Sequence, residues 1–149
     1  FTSNVVLVKK VYLKKKIEGD YKTPIGTFKI GKLYYRKDRL IPPKTNLSKI
    51  IITKNMGWCN DLRNKKNYNK LIKIQKNIKH EKLYRNDFKY DLMIPIEYNT
   101  KKRILGKGSC IFLHLTNNLR PTAGCLALKK NDFLVMLKLI DKKTKIKIV

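Results

Sequence analysis

The sequence predicts a mainly β fold: a mixed β-sheet sandwich or barrel-like body with one helix packed on it near the C-terminus. Three observations lead there. Short runs with apolar residues at alternate positions recur along the chain, separated by Gly, Pro, Asn and Asp. Only one segment, Phe133 to Ile140, carries apolar residues at clear helical spacing. A chain of 149 residues, 42% of them apolar, fits one compact domain with a real hydrophobic core. Residues 1–149 are therefore read as a single domain.

Taken in order, Asn4 to Leu13 reads as a strand, with Val5, Leu7, Val11 and Leu13 on alternate positions. Gly19-Asp20 and Thr23-Pro24-Ile25-Gly26 are turn signals, and Thr27 to Tyr35 reads as a second strand. Arg36 to Asn46, with Pro42-Pro43, is an exposed connection, and Leu47 to Thr53 is a short apolar strand. Gly57 to Tyr68 is polar and predicted irregular, the kind of long loop that often carries function. Leu71 to Ile78 fits strand or helix. Tyr90 to Tyr98 is a strand that Pro95 places at an edge or bulge. Ser109 to Leu115 is strongly β, and the helix opens near Asn131-Asp132 as its N-cap, burying Phe133, Met136, Leu137 and Ile140. Lys145 to Val149 closes the chain as an alternating strand.

No apolar run approaches the roughly 20 residues a bilayer span needs, and Lys138 interrupts the greasiest stretch. The chain opens on Phe1 rather than Met, so an N-terminal piece such as an export signal or anchor is expected to have been truncated or processed away. The formal net charge of +26 raises a nucleic-acid reading. Against it, only six of the 36 cationic residues are Arg, whereas groove readers favour the bidentate Arg fork. The charge is read as a solvated surface with loose attraction to a polyanion, of which a cell envelope also offers examples. Cys59, Cys110 and Cys125 form neither a disulfide framework nor a paired metal motif, and no metal or cofactor is expected.

The chemically informative segment is Gly106 to Leu128. Along Ser109 to Leu115, strand alternation puts Cys110, Phe112 and His114 on one face. After a short connection the chain reaches Pro121-Thr122-Ala123-Gly124-Cys125, where Gly124 allows a close backbone approach or a positive φ. Backbone N–H groups in such a turn can converge on an oxyanion. A free thiol is only a few per cent thiolate near neutral pH, and an imidazole that takes its proton makes it a nucleophile. His114 is the candidate base for Cys125. The residues by themselves also fit a blander reading, in which Cys125 is an inert small core residue and His114 a satisfied structural one.

Gly106-Lys-Gly-Ser-Cys-Ile-Phe-Leu-His114, followed by Pro121-Thr-Ala-Gly-Cys125-Leu-Ala-Leu128, resembles the active-site segment of the L,D-transpeptidase (YkuD-type) catalytic domain, in a compact subgroup with the pattern P-T-x-G-C-x-A-L. The resemblance extends to Glu18-Gly19-Asp20-Tyr-Lys-Thr23-Pro24-Ile-Gly26-Thr-Phe28, to Gly57-Trp58-Cys59-Asn60-Asp61 with Tyr68-Asn69, and to His80-Glu81-Lys-Leu-Tyr84-Arg85. Five ordered blocks are more specific than any lone motif. The family likeness implies Cys125 as nucleophile and His114 as base and then acid. It also implies oxyanion donors at the backbone of Ala123, Gly124 and Cys125, and substrate contacts from Thr122, Ala123, Trp58 and a second imidazole, His80. Ala123 and Ala127 stand where the better-known family signature has His and Arg or Asn, so the contact to a substrate carboxylate is assigned to Arg120 or Arg85.

The expected function is thus a cysteine acyltransferase forming 3→3 cross-links between peptidoglycan stem peptides, or attaching other amine acceptors, through a Cys125 thioester. The same site with water as acceptor would be an L,D-carboxypeptidase or murein hydrolase. A non-catalytic basic polyanion-binding module is the reading from a different class. The resemblance further implies inhibition by carbapenem β-lactams, a periplasmic or envelope location and a monomeric state, with nucleic acid disfavoured as a partner.

Overall fold

The computed structural model describes residues 5–8, 16–118 and 122–149. The strands are β1 (Val5–Val8), β2 (Gly26–Lys29), β3 (Leu33–Tyr35), β4 (Lys49–Ile51), β5 (Met56–Cys59), β6 (Leu71–Lys73), β7 (His80–Lys82), β8 (Leu92–Pro95), β9 (Phe112–Leu115), β10 (Leu126–Leu128) and β11 (Lys145–Ile148), with helix α1 (Lys130–Leu139) before the last. The fold is mainly β with its helix near the C-terminus, as the alternating runs predict. The remainder of the expected first strand, residue 4 and residues 9–13, lies outside the described residues.

A five-stranded sheet in the order β10-β9-β8-β3-β4 forms the middle of the molecule. Its strands alternate between two cores. Leu33, Tyr35, Leu92, Ile94, Leu113 and Leu115 point to one side, where they meet Phe133 and Leu137 of α1 and Ile146 and Ile148 of β11. Tyr34, Met93 and Phe112 point to the other, against Trp58, Leu83 and Tyr90. A three-stranded sheet, β1-β11-β2, belongs to the first side, and another, β6-β5-β7, belongs to the second. Period-two alternation in a sheet covered on both faces explains why all four residues of β8 and of β9 are buried.

Several expectations are corrected by this arrangement. The run Thr27 to Tyr35 is not one strand: β2 and β3 lie in different sheets. The chain crosses between them where Ile30 bridges Ile96 and the Gly31 N–H donates to the Pro95 carbonyl at 2.8 Å. A side chain at position 31 would begin 3.3 Å from that oxygen, so glycine suits the crossing. The predicted irregular segment from Gly57 contains β5, which pairs with β6 on one edge and β7 on the other. Its polar neighbours conceal a strand only four residues long. Pro95 belongs to an interior strand rather than an edge, but it is the last residue of β8, beyond the register in which Tyr34 and Tyr35 pair with Met93 and Leu92. Its missing N–H therefore falls outside that ladder.

The helix begins at Lys130, earlier than expected, with Lys129 in the cap position and no side-chain cap bond. Asp132 instead lies within the first turn, where its charge complements the helix dipole. Of the predicted buried stripe, Phe133 and Leu137 are fully covered, Ile140 is buried just past the helix end, and Met136 is half-buried. No helix among the described residues is long and apolar enough to cross a membrane.

Because Phe133 sits at 0% exposure among residues of β9, β10 and β11, Phe133→Ala is expected to cost about 3–5 kcal/mol of stability in chemical denaturation. Val135→Ala, at a position 57% exposed on the same helix, is expected to change stability by less than about 0.5 kcal/mol.

Candidate active site

His114 owes its position to the alternation of β9. Leu113 and Leu115 are committed to the core beneath α1, so His114 must emerge on the opposite face beside Phe112. β10 runs parallel to β9, with Ala127 the register partner of His114 and Leu126 that of Leu113. Cys125 precedes β10 and, two residues before Ala127, falls on the face of His114. Adjacent strands are about 4.8 Å apart and two residues advance about 6.6 Å, which puts the two Cα atoms roughly 8 Å apart and the two side chains within reach of each other. Both residues line one cavity of about 540 Å³, together with Thr122, Ala123, Tyr90 and Arg85.

The imidazole is 5% exposed, and its Nδ1 lies 2.8 Å from the Leu115 carbonyl. A carbonyl only accepts, so Nδ1 carries the proton and Nε2 is the nitrogen whose lone pair is basic. The group that orients His114 is thus a backbone oxygen one residue along the same strand. Sequence reasoning did not find it, and no side-chain pattern encodes it. Tyr90 packs edge-on against the ring, with centroids 5.6 Å apart. The Tyr90 hydroxyl donates to Glu81 at 3.0 Å, and the Arg85 guanidinium lies 5.0 Å from the Tyr90 ring centroid. Burial, reinforced by the neighbouring Cys125 and Glu81, pushes the Tyr90 phenol far above its usual range, so it remains a neutral donor.

The turn before Cys125 is tightly constrained. Gly124 is buried with φ +104°, and a Cβ there would lie 2.6 Å from the Lys22 carbonyl oxygen. The loop around Thr23-Pro24 therefore presses directly on the turn that carries Cys125. The Thr122 hydroxyl donates to the Cys125 carbonyl. The thiol itself is half-buried and donates to the Cys110 carbonyl at 3.2 Å. Pro121 and Arg120 lie outside the described residues.

Cys110 packs on the same side as Phe112, as expected, but it lies outside the strand. The strand starts at Phe112, and Cys110 has φ +56°, which turns its carbonyl toward Cys125. Asn69 holds this turn. Its Oδ1 accepts from the Trp58 indole at 2.8 Å and from the Cys110 N–H at 3.2 Å, while its Nδ2 donates to the carbonyls of Tyr98 and Asn99. A second anchor is Glu18, whose carboxylate accepts from the hydroxyls of Tyr68 and Ser109, and Tyr68 in turn accepts from the Gly108 N–H at 3.1 Å. Only the family resemblance drew attention to Glu18, Tyr68 and Asn69; apart from Trp58, their side-chain partners lie dozens of residues away.

The remaining candidates separate. Arg85 reaches the cavity, but its fork is taken by Asp87 at 2.8 and 2.6 Å, with Glu81 at 3.3 Å. A substrate carboxylate there would compete with Asp87. Trp58 is buried at 8% exposure and lies behind the site, acting through Asn69 rather than lining the cavity. His80 is outside the cavity as well. It belongs to β7 opposite Cys59, its Nδ1 is 2.7 Å from the Ile78 carbonyl, and its ring fills the space that Gly57 leaves open. Cys59 is fully buried and burial raises its thiol pKa; burial raises that of Cys110 further.

Comparison with known proteins bears on this geometry. The family described as the L,D-transpeptidase catalytic domain (YkuD) matches residues 2–148. No curated protein sequence matches the chain. Among solved structures, the chain is similar to the helical cell shape determining protein Pgp2 from Campylobacter jejuni, with 16% identity and a TM-score of 0.50. The match covers 97% of this chain and 46% of that one, so the chain spans about half the length of its structural neighbour. A mutant of the same Campylobacter jejuni protein matches at 17% identity and a TM-score of 0.48, over the same 97% and 46% of the two chains.

Two substitutions test the support of the turn that carries Cys125. Gly124→Ala strains a positive φ and drives a methyl into the Lys22 carbonyl; it is expected to cost about 1–3 kcal/mol and to slow alkylation of Cys125 by iodoacetamide. Asn69→Leu removes four hydrogen bonds at a residue 4% exposed and strands their buried partners. A loss of at least about 2–4 kcal/mol is expected, read as a lowered denaturation midpoint.

Proposed function

The chain belongs to the family of L,D-transpeptidase catalytic domains, and from that premise we propose that it is a peptidoglycan acyltransferase of the bacterial envelope with Cys125 as its nucleophile. The observation that carries the reading is that His114, its Nδ1 held by the Leu115 carbonyl, opens onto the same cavity as Cys125. That geometry supplies a base with a defined basic nitrogen beside a half-buried thiol.

In this reading Nε2 of His114 takes the thiol proton as Sγ attacks the carbonyl carbon of the third residue of a stem tetrapeptide. The C=O electron pair moves onto oxygen, where the backbone amides of Gly124 and Cys125 stand as candidate donors. Losing one such donor typically costs about a hundredfold or more in rate. The tetrahedral species collapses, the C–N bond to the terminal D-Ala breaks, and His114 returns its proton to the leaving amine. A thioester remains on Cys125. An amine on a neighbouring stem then attacks it, His114 removes the proton from that amine, and the thiolate leaves and is reprotonated, giving a 3→3 link.

The hydrogen bond from Cys125 to the Cys110 carbonyl adds a feature to this cycle. The proton that Sγ directs at this carbonyl is the one His114 takes as the sulfur attacks.

Incubation with a carbapenem should yield a covalent adduct whose mass maps to Cys125 and which is absent from Cys125→Ala. An adduct on Cys59 or Cys110 would overturn the assignment. With purified disaccharide-tetrapeptides, cross-linked dimers plus released D-Ala are expected. Tripeptide without dimer would instead identify a carboxypeptidase, and no turnover at all a non-catalytic module. His114→Gln should lower turnover by at least about a hundredfold, the scale of a lost general base.

A further inference from the structure

The ion pairs divide the cations of this protein unevenly. Six ion pairs occur among the described residues; they engage Arg36, Arg39, Arg63 and Arg85, and only one lysine, Lys16. Most of the ten acidic residues are consumed in doing so, and Glu18 is held by Tyr68 and Ser109. Among the described residues, the other lysines form no ion pair within the protein.

On the sheet β1-β11-β2 that surface is ordered. Lys29 of β2 lies directly opposite Lys145 of β11 in the antiparallel register, and Lys147 follows on the same face. All three are exposed, as are Lys142 and Lys143 on the turn entering β11. Like charges directly opposite one another weaken a sheet. The alternation leaves them no escape, because Ile146 and Ile148 on the reverse are 1% and 0% exposed and a one-residue slip would bring them out. The core therefore pins a row of amines at strand spacing, about 4.8 Å across and 6.7 Å along.

We propose that this face docks the peptidoglycan polymer through its stem-peptide carboxylates, holding the enzyme on its polymeric substrate while Cys125 works on individual stems. The inference rests on the function proposed above for the choice of polymer. Lysine suits this role because a compact, mobile point charge meets dispersed carboxylates without the fixed geometry a guanidinium demands. Several weak contacts on one polymer then combine by effective concentration.

The test uses the full chain carrying Cys125→Ala, co-sedimented with purified sacculi at low and high salt. The variant K29Q/K145Q/K147Q should bind on the order of a hundredfold more weakly at low salt, from about fivefold per lysine over three lysines. K29R/K145R/K147R should bind like the parent. Amidating the carboxylates of the sacculi should abolish the difference between parent and Gln variant. In the Cys125 background, turnover of soluble disaccharide-tetrapeptide should be unchanged by the three Gln substitutions. Equal sedimentation of parent and Gln variant, full binding to amidated sacculi, or binding to duplex DNA in place of sacculi would each overturn the docking surface. Charge-dependent sacculus binding by a protein that turns over no soluble stem would uphold the docking surface and overturn the enzymatic reading alone.

Discussion

The site depends on one constraint, the period of two along β9. Four consecutive buried residues must serve two cores, and a strand allows this only by sending neighbours to opposite faces. Leu113 and Leu115 anchor the strand beneath α1, while Phe112 enters the aromatic cluster with Trp58 and Tyr90 on the other face. His114 then has one direction available. A slip of one residue would bury the imidazole among aliphatic side chains and turn two leucines toward the aromatic cluster, so hydrophobic packing on one face enforces the orientation of a polar group on the other.

Backbone carbonyls complete what that packing begins. Leu115 supplies the acceptor for His114, and Cys110 supplies the acceptor for the Cys125 thiol. Neither oxygen is placed by its own side chain. The Cys110 carbonyl is directed by a left-handed backbone conformation, which Asn69 secures through the Cys110 N–H. Asn69 has its own left-handed conformation and uses both ends of its amide, so the site rests on a buried polar network in which every amide group of that residue is satisfied. Such a network is stable while complete and costly once broken, which suits a scaffold that holds Cys125 and His114 on one cavity.

Electrostatics are partitioned in the same spirit. Arginine handles the geometry-demanding contacts: Arg36 pairs with Asp38 and lies over the Tyr84 ring at 3.5 Å, and Arg63 holds the Asp61 carboxylate well below the usual range. Asp61 also accepts the backbone N–H groups of Lys79 and Arg63, tying the segment before β7 to the end of β5. Lysine, by contrast, is spread over exposed strand and turn positions. The composition that first suggested nucleic acid thus resolves into structural arginines and a lysine exterior.

By itself the sequence determined the fold class, the helix and most strands, because side-chain alternation and turn residues are local and each run carries its own signal. It also singled out Cys125 and His114, since a glycine turn before a cysteine and a histidine within an apolar strand are visible without a third dimension. Tertiary structure alone decided the rest. β5 was hidden because four residues with glycine among them show little periodicity, and the break between β2 and β3 was hidden because the partner at Pro95 is distant in sequence. His80 and Trp58 were drawn toward the site by their family blocks, yet pairing with Cys59 and Asn69 sets one outside the cavity and the other behind it. The oxygens that orient His114 and hold the Cys125 thiol belong to the main chain, which every residue shares, so only the folded path of the backbone could identify them.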